Sequence, residues 1–264
     1  ACRKLLLGRS RRSGSSIVAE PCSFVVAIDG PAGSGKSTVG AEVAKRLGAL
    51  YFDTGVVYRT LALVASERGV PPDDAERLAE LARSLSLRVA PPSVQDGRLY
   101  DVRIDGRDVT WAIRTPEIDR LASVVSAHPE VRRALLQIQR EIARDGRVVM
   151  AGRDIGTVVM PEAPVKIWLD ASLEERARRR QRDLASRGIV QPLESIIAEL
   201  AERDRRDASR AVAPMRPAED AVIVETDGRS IEDVVETVLA IVRERCECAD
   251  HGADSSRMAT VPSP

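Results

Sequence analysis

Nine consecutive residues, Gly30-Pro31-Ala32-Gly33-Ser34-Gly35-Lys36-Ser37-Thr38, fit the spacing G-x-x-x-x-G-K-S/T. The three glycines let backbone N–H groups curl around phosphate oxygens with no Cβ in the way. In such a loop Lys36 reaches the β- and γ-phosphates of a nucleotide, and the Ser37 hydroxyl is placed to ligate Mg²⁺. The motif implies nucleotide binding but not a particular reaction. A GTPase would carry an Asn-Lys-x-Asp run after a later strand, and the chain has none. A motor ATPase would end a strand on an acidic residue, whereas Met150-Ala151-Gly152 ends the strand expected there.

Four further clusters carry charge suited to phosphate. Asp53-Thr54-Gly55-Val56-Val57-Tyr58-Arg59 and Gly152-Arg153-Asp154-Ile155-Gly156 each follow an apolar run. Ser172–Arg182 places Arg176, Arg178, Arg179, Arg180 and Arg182 around one helix. Arg203-Asp204-Arg205-Arg206-Asp207 and Arg210-Ala211-Val212-Ala213-Pro214 close another. A guanidinium is a planar fork that matches phosphate oxygens two at a time. Arg176 and Arg179, three apart, share a helix face. Arg178 and Arg182 read better as a solvated face paired with neighbouring acids.

These clusters need a scaffold, and the hydrophobic pattern supplies one. Phe24–Ile28, Leu50–Phe52, Val148–Met150, Val165–Leu169 and Ala221–Val224 are short apolar runs, as expected for strands buried on both faces. Helical stretches separate them, with start signals at Ser172…Glu175 and Ser230…Asp233. The alternation predicts an α/β fold with a five-stranded parallel sheet, whose ligands gather outside the strands' carboxyl ends. One segment departs from it. Arg98–Ile104 alternates, Asp105-Gly106 signals a hairpin, and Arg107–Thr110 returns. Thr115-Pro116-Glu117 then starts a helix. Residues 85–128 therefore read as an antiparallel insert.

The chain has 264 residues, 44% hydrophobic and 30% charged, with 40 basic against 40 acidic side chains. That balance excludes binding of nucleic acid by bulk attraction. Over residues 174–210, ten arginines face eight acids, too small an excess for an RNA patch. No apolar run reaches the ~18–20 residues of a membrane helix. Cys2, Cys22, Cys246 and Cys248 lie near the ends and read as reduced thiols. Cys246, Cys248 and His251 could instead be a metal fragment lacking its second half. Residues 1–22 hold five basic residues and one acid. They read as a disordered basic extension, with a transit peptide or an upstream start as alternatives. Residues 246–264 read as a disordered tail.

Taken together, the runs AIDGPAGSGKST, DTGVVYR, IRTPE, GRDIGTVVMP, APVKIWLDAS-x-EERA and ERDRRDASRAVAP resemble the bacterial cytidylate kinases, in order and spacing, over about residues 23–245. The resemblance implies a three-layer P-loop fold. Its core would be 23–84 and 129–245, with a monophosphate-binding insert at 85–128 and a helical lid near 174–190. It implies transfer of the ATP γ-phosphate to CMP or dCMP, with Mg²⁺, by a cytoplasmic monomer. It places Thr54 and Asp154 at the cytosine amino group, and Ser123 and Arg132 at the other polar edge of the base. Arg59, Arg114 and Arg153 would surround the acceptor phosphate. Arg203, Asp207 and Arg210 would reach ribose, phosphate and base, with Tyr58 lining the pocket. Lys36, Arg153, Arg176 and Arg179 would serve the transfer itself. Asp154 as a general base, a kinase for UMP or shikimate, and a nucleic-acid-binding regulator stay open as alternatives.

Overall fold

The computed structural model describes residues 24–144, 146–186 and 188–254, with side chains to residue 245. The readings for residues 1–22, for the cysteines and His251, and for the end of the chain lie outside the described side chains.

Five parallel strands form the main sheet: β1 (Phe24–Asp29), β2 (Leu50–Asp53), β6 (Arg147–Gly152), β7 (Val165–Asp170) and β8 (Val222–Glu225). Their spatial order is β2-β6-β1-β7-β8. Each of the five expected strands is present, shifted by a residue or two. β1 is buried along nearly its whole length, which is why its sequence is continuously apolar rather than alternating. Asp29 pairs with Gly152, and Asp53 with Ala151. The register therefore brings the loops after β1, β2 and β6 to one edge.

Helix α1 (Lys36–Leu47) turns Val39, Val43 and Ala44 onto the sheet, and Gly48 in the left-handed region ends it. Helix α2 (Gly55–Glu67) begins directly after β2. Helix α3 (Ala75–Arg83) is capped by the Asp74 carboxylate, which accepts from Arg77 N–H at 3.1 Å. A second, antiparallel sheet follows, made of β3 (Leu87–Ala90), β4 (Asp101–Ile104) and β5 (Arg107–Asp108). Asp105 and Gly106 both have positive φ, as a type I′ hairpin turn requires. β4 starts later than its alternation suggests. Arg98 is drawn aside by the Asp96, Asp101 and Asp108 carboxylates. β5 also ends early, because the Thr110 hydroxyl takes over as acceptor for Val102 N–H at 2.9 Å.

Helix α4 (Pro116–Val125) has Thr115 as its cap and Pro116 at its first position, as expected. It packs on α2, and α5 (Pro129–Arg144) packs on α3. Val89, Tyr100, Val102, Ile104 and Ile113 belong to the same buried cluster as the main sheet, so the insert shares the core. Helices α6 (Leu173–Ser186) and α7 (Leu193–Ala208) share a separate small cluster: Ala177, Leu184, Ile196 and Leu200 against Ala32 of the glycine loop. Helix α8 (Ile231–Asp254) continues past residue 245. That boundary does not end a helix, since no Pro or Gly interrupts the chain before Gly252.

Candidate active site

The glycine loop joins β1 to α1. Gly30, at φ 150°, passes so close to β7 that a Cβ there would sit 2.2 Å from the Leu169 carbonyl oxygen. Any side chain would push the loop off the sheet. Gly35, at φ 97°, turns the chain into α1 and leaves the helix's first amides without a side-chain cap. Free amides and the positive end of a helix dipole are what a phosphate binds. Lys36 is buried and folds over the loop, donating to the Pro31 carbonyl at 2.5 Å and the Ser34 hydroxyl at 3.3 Å. Burial, and then repulsion from Arg153, push its pKa well below that of an ordinary lysine.

Beside the loop lies a cavity of about 320 Å³, lined from β2, α2, α4, α5, α6, α7 and the turn after β6. Seven cations (Lys36, Arg59, Arg132, Arg153, Arg180, Arg203 and Arg210) meet there with four carboxylates, Asp53, Asp119, Asp154 and Asp207. Burial lowers the pKa of Arg203, aided by Arg153, and burial also lowers that of Arg210. The pocket thus holds more positive charge than its own acids balance, and an anion would relieve it.

The side chains are held in pairs. Arg59 donates to Asp119 at 2.7 Å and to Asp53 at 3.2 Å. Burial alone would raise the Asp53 pKa, but Arg59 and the Gly55 amide hold it below the usual carboxylate value. Arg153 reaches the Asp207 carboxylate at 3.0 Å and the Gly30 carbonyl at 3.1 Å, so it ties α7 to the glycine loop. Asp207 also accepts from Arg210. Its pKa would rise with burial but is lowered by Arg153 and Arg210. Arg132 donates to Asp154 at 2.5 Å and lies 5.4 Å over the Tyr58 ring. Thr54 donates its hydroxyl proton to the Ala151 carbonyl at 3.1 Å. A hydroxyl has one proton, so what Thr54 still offers is an acceptor. Gly152 makes this approach possible, since a Cβ there would meet the Thr54 hydroxyl at 2.7 Å.

Of the residues expected from sequence, Lys36, Ser37, Thr54, Tyr58, Arg59, Ser123, Arg132, Arg153, Asp154, Arg203, Asp207 and Arg210 line this cavity, with Ala32 and Gly33 of the loop. Ser34, Gly35, Thr38 and Arg179 line an adjoining cleft of about 360 Å³, together with Thr226 and Arg229. Arg179 is anchored there to Glu175 and Thr226. Arg176 lines neither. It is buried behind the loop, bonded to the Ala171 and Ala32 carbonyls and to Asp204. Arg114 also stands apart, stacked over Tyr100 at 5.3 Å and Trp111 at 5.7 Å. Arg178 pairs with Glu174 one turn away. The cavity adds Asp53, Asp119, Ser126 and Arg180, to which the sequence pattern assigns no role. Arg180 lies four residues beyond Arg176, so the same helical spacing that singles out Arg176 and Arg179 also allows it.

A glycine phosphate loop at the first strand of a parallel sheet, opening beside a second cation-lined pocket, defines a P-loop phosphotransferase acting on a small anionic acceptor. The family model described as cytidylate kinase matches residues 26–244. A cytidylate kinase of Chloroflexus aggregans is 54% identical over 214 residues, covering 81% of this chain and 91% of that protein. Those of Roseiflexus castenholzii and Geobacter sulfurreducens are each 48% identical, over 224 and 230 residues, covering 84% and 87% of this chain and 95% and 97% of those proteins. The chain belongs to the cytidylate kinase family.

Proposed function

We propose that the cavity beside the glycine loop receives CMP or dCMP and that the loop and the adjoining cleft hold ATP, whose γ-phosphate passes to the acceptor to give ADP and CDP or dCDP. The observation that carries this reading is the excess of cations, seven against four carboxylates, around a pocket that also offers acceptors, the Thr54 hydroxyl and the Asp154 carboxylate. Cytosine presents an amino donor where uracil presents a carbonyl. Two acceptors there favour the former and repel the latter.

The acceptor phosphate is already ionised near neutral pH, so no general base is needed. The work of the site is to align the two phosphates and spread charge. Arg59 and Arg153 would grip the acceptor phosphate, Arg59 held in place by Asp53 and Asp119 and Arg153 by Asp207. Lys36 would bridge toward the transferring phosphoryl group. Its lowered pKa makes the charged form costly without an anion, so a polyphosphate would both restore its charge and be held by it. Arg180 would approach from the lid and Arg179 would serve the donor nucleotide, while Arg176 would brace the loop through the Ala32 carbonyl.

The Ser37 hydroxyl and the Asp53 carboxylate both line the cavity and are hard oxygen donors. That pair suits Mg²⁺, which takes one or two protein oxygens and completes its shell with phosphate and water. No cluster of three or more metal-binding side chains occurs among the described residues, as this mode of binding allows. Mg²⁺, when bound, neutralises charge on the β- and γ-phosphates. In this reading the enzyme acts as a monomer in the cytoplasm, where both nucleotides are at hand. The test is ADP release, coupled to an indicator, with CMP, dCMP, UMP and shikimate as acceptors. CMP and dCMP should be turned over. Preference for UMP or shikimate would overturn the reading.

A further inference from the structure

Asp29 is a buried acid that the transfer itself does not use. It ends β1, opposite Gly152 in the sheet, one residue before the glycine loop. Its two carboxylate oxygens accept from Ile155 N–H and Gly156 N–H, both at 2.8 Å. Those amides open the π-helical turn Ile155–Val159 that follows β6. The first amides of any helical turn have no partner within it and must find an acceptor. Asp154 occupies the position before the turn, and aspartate is among the residues that most often supply that acceptor. Here it does not: its side chain makes no capping bond, and its carboxylate goes to Arg132 instead. The cap comes from 125 residues earlier in the chain, on another strand.

We propose that Asp29 is a specificity-positioning residue: by capping the Ile155–Val159 turn from β1, it releases the Asp154 carboxylate to Arg132 and the acceptor cavity. This rests on the reading of Asp154 as the group that recognises the cytosine amino function. Without Asp29, the turn's bare amides draw Asp154 back into the cap, and the base-reading carboxylate leaves the pocket. Two neighbours share Asp29's surroundings electrostatically, Asp154 and Lys36.

The experiment compares kcat/KM for CMP and UMP in wild type, Asp29→Ala, Asp154→Ala and the double variant, with the KM for ATP alongside. Asp29→Ala should shrink the CMP-to-UMP ratio by about tenfold or more, the worth of a good base-edge contact. It should move the KM for ATP little, and it should add nothing to the ratio once Asp154 is Ala. A purely structural role would lower turnover with both acceptors equally and leave the ratio intact, which overturns the proposal. So would a loss of ratio that persists in the Asp154→Ala background. If Asp154→Ala itself leaves the ratio unchanged, the reading of Asp154 fails. If it collapses the ratio while Asp29→Ala does not, only the capping role fails. Should Asp29→Ala not fold, Asp29→Asn, which keeps one acceptor, is measured in its place. In the wild type, the Ile155 and Gly156 amides should exchange slowly with deuterium, and rapid exchange there would also sink the idea.

Discussion

Replacing Asp154 by alanine separates two roles that the structure gives one carboxylate. The Arg132–Asp154 contact is 2.5 Å, with the two side chains 7% and 9% exposed. In Asp154→Ala the guanidinium keeps a 3.4 Å bond to the Ser126 carbonyl and the Tyr58 ring, while its buried Nε already has no partner. Removing one partner of a buried pair costs about 3–5 kcal/mol, because the other charge is left desolvated. Both groups line an open cavity that admits water to the orphaned guanidinium, so the lower end applies. A loss of about 3 kcal/mol corresponds to a fall in Tm of roughly 6–12 °C for a domain of this size. The second role appears in kinetics. The CMP-to-UMP ratio of kcat/KM should shrink by about 1–3 kcal/mol, roughly 5- to 150-fold, the worth of a base-edge contact. Arg153→Ala, a phosphate contact, should weaken both acceptors alike. Calorimetry and paired acceptor kinetics on the two variants make the test. If Asp154→Ala slows CMP and UMP by one common factor, its carboxylate is not reading the base and serves only to hold Arg132.

The scaffold was legible wherever the chemistry was contiguous. The three inner strands of the sheet, β6, β1 and β7, are buried along most of their length, so each is a mainly apolar run that the pattern alone betrays, while the edge strands β2 and β8 are short apolar runs. The glycine loop is legible for the same reason: its function resides in nine adjacent residues. β3 was not, because Leu87-Arg88-Val89-Ala90 is short and only Val89 is fully buried, leaving no period to read. Among the arginines the sequence offered too many candidates. With ten of them between 174 and 210, helical spacing admits Arg176, Arg179 and Arg180 alike, and only packing against the loop decides which faces the cavity. Asp29 and Asp119 were missed because their partners are remote: 126 residues separate Asp29 from Ile155, and 60 separate Arg59 from Asp119. An acid at the end of an apolar strand reads as the first residue of a loop until the sheet order, which puts β6 next to β1, places the amides over it.

Lys36→Ala should lower kcat by about 10²–10³-fold while the protein stays folded, since the lost group stabilises charge at the phosphoryl being transferred. Near-normal turnover would refute the role of the loop. Removing residues 1–22 should leave kcat/KM within about twofold, because no core-forming hydrophobic pattern begins in the sequence before Ser23. A larger loss in the steady-state assay would mean that the extension docks on the domain. The response of stability to acid turns on Asp29. Burial pushes its pKa up to about 6 from 3.8, against the opposing pull of the two amides. Between those values the folded protein holds a proton that the unfolded chain has released, so this group's contribution to stability falls as pH rises from about 4 to about 6. A tenfold change in proton affinity is worth about 1.4 kcal/mol, so the effect is on the order of 3 kcal/mol, fully expressed above pH 6. Asp53 and Asp207 act in the opposite sense, since their pKa values are lowered and their stabilisation is lost in acid. The contribution of Asp29 is isolated by following Tm for wild type and Asp29→Asn from pH 4 to pH 8. Asn does not ionise but surrenders one amide bond, a constant offset. The difference between the two curves should move in favour of Asp29→Asn as pH rises from about 4 to about 6 and level off above that. A difference that stays flat across that range would mean that Asp29 titrates near its ordinary value, and that the amides of Ile155 and Gly156 offset the whole cost of burying its charge.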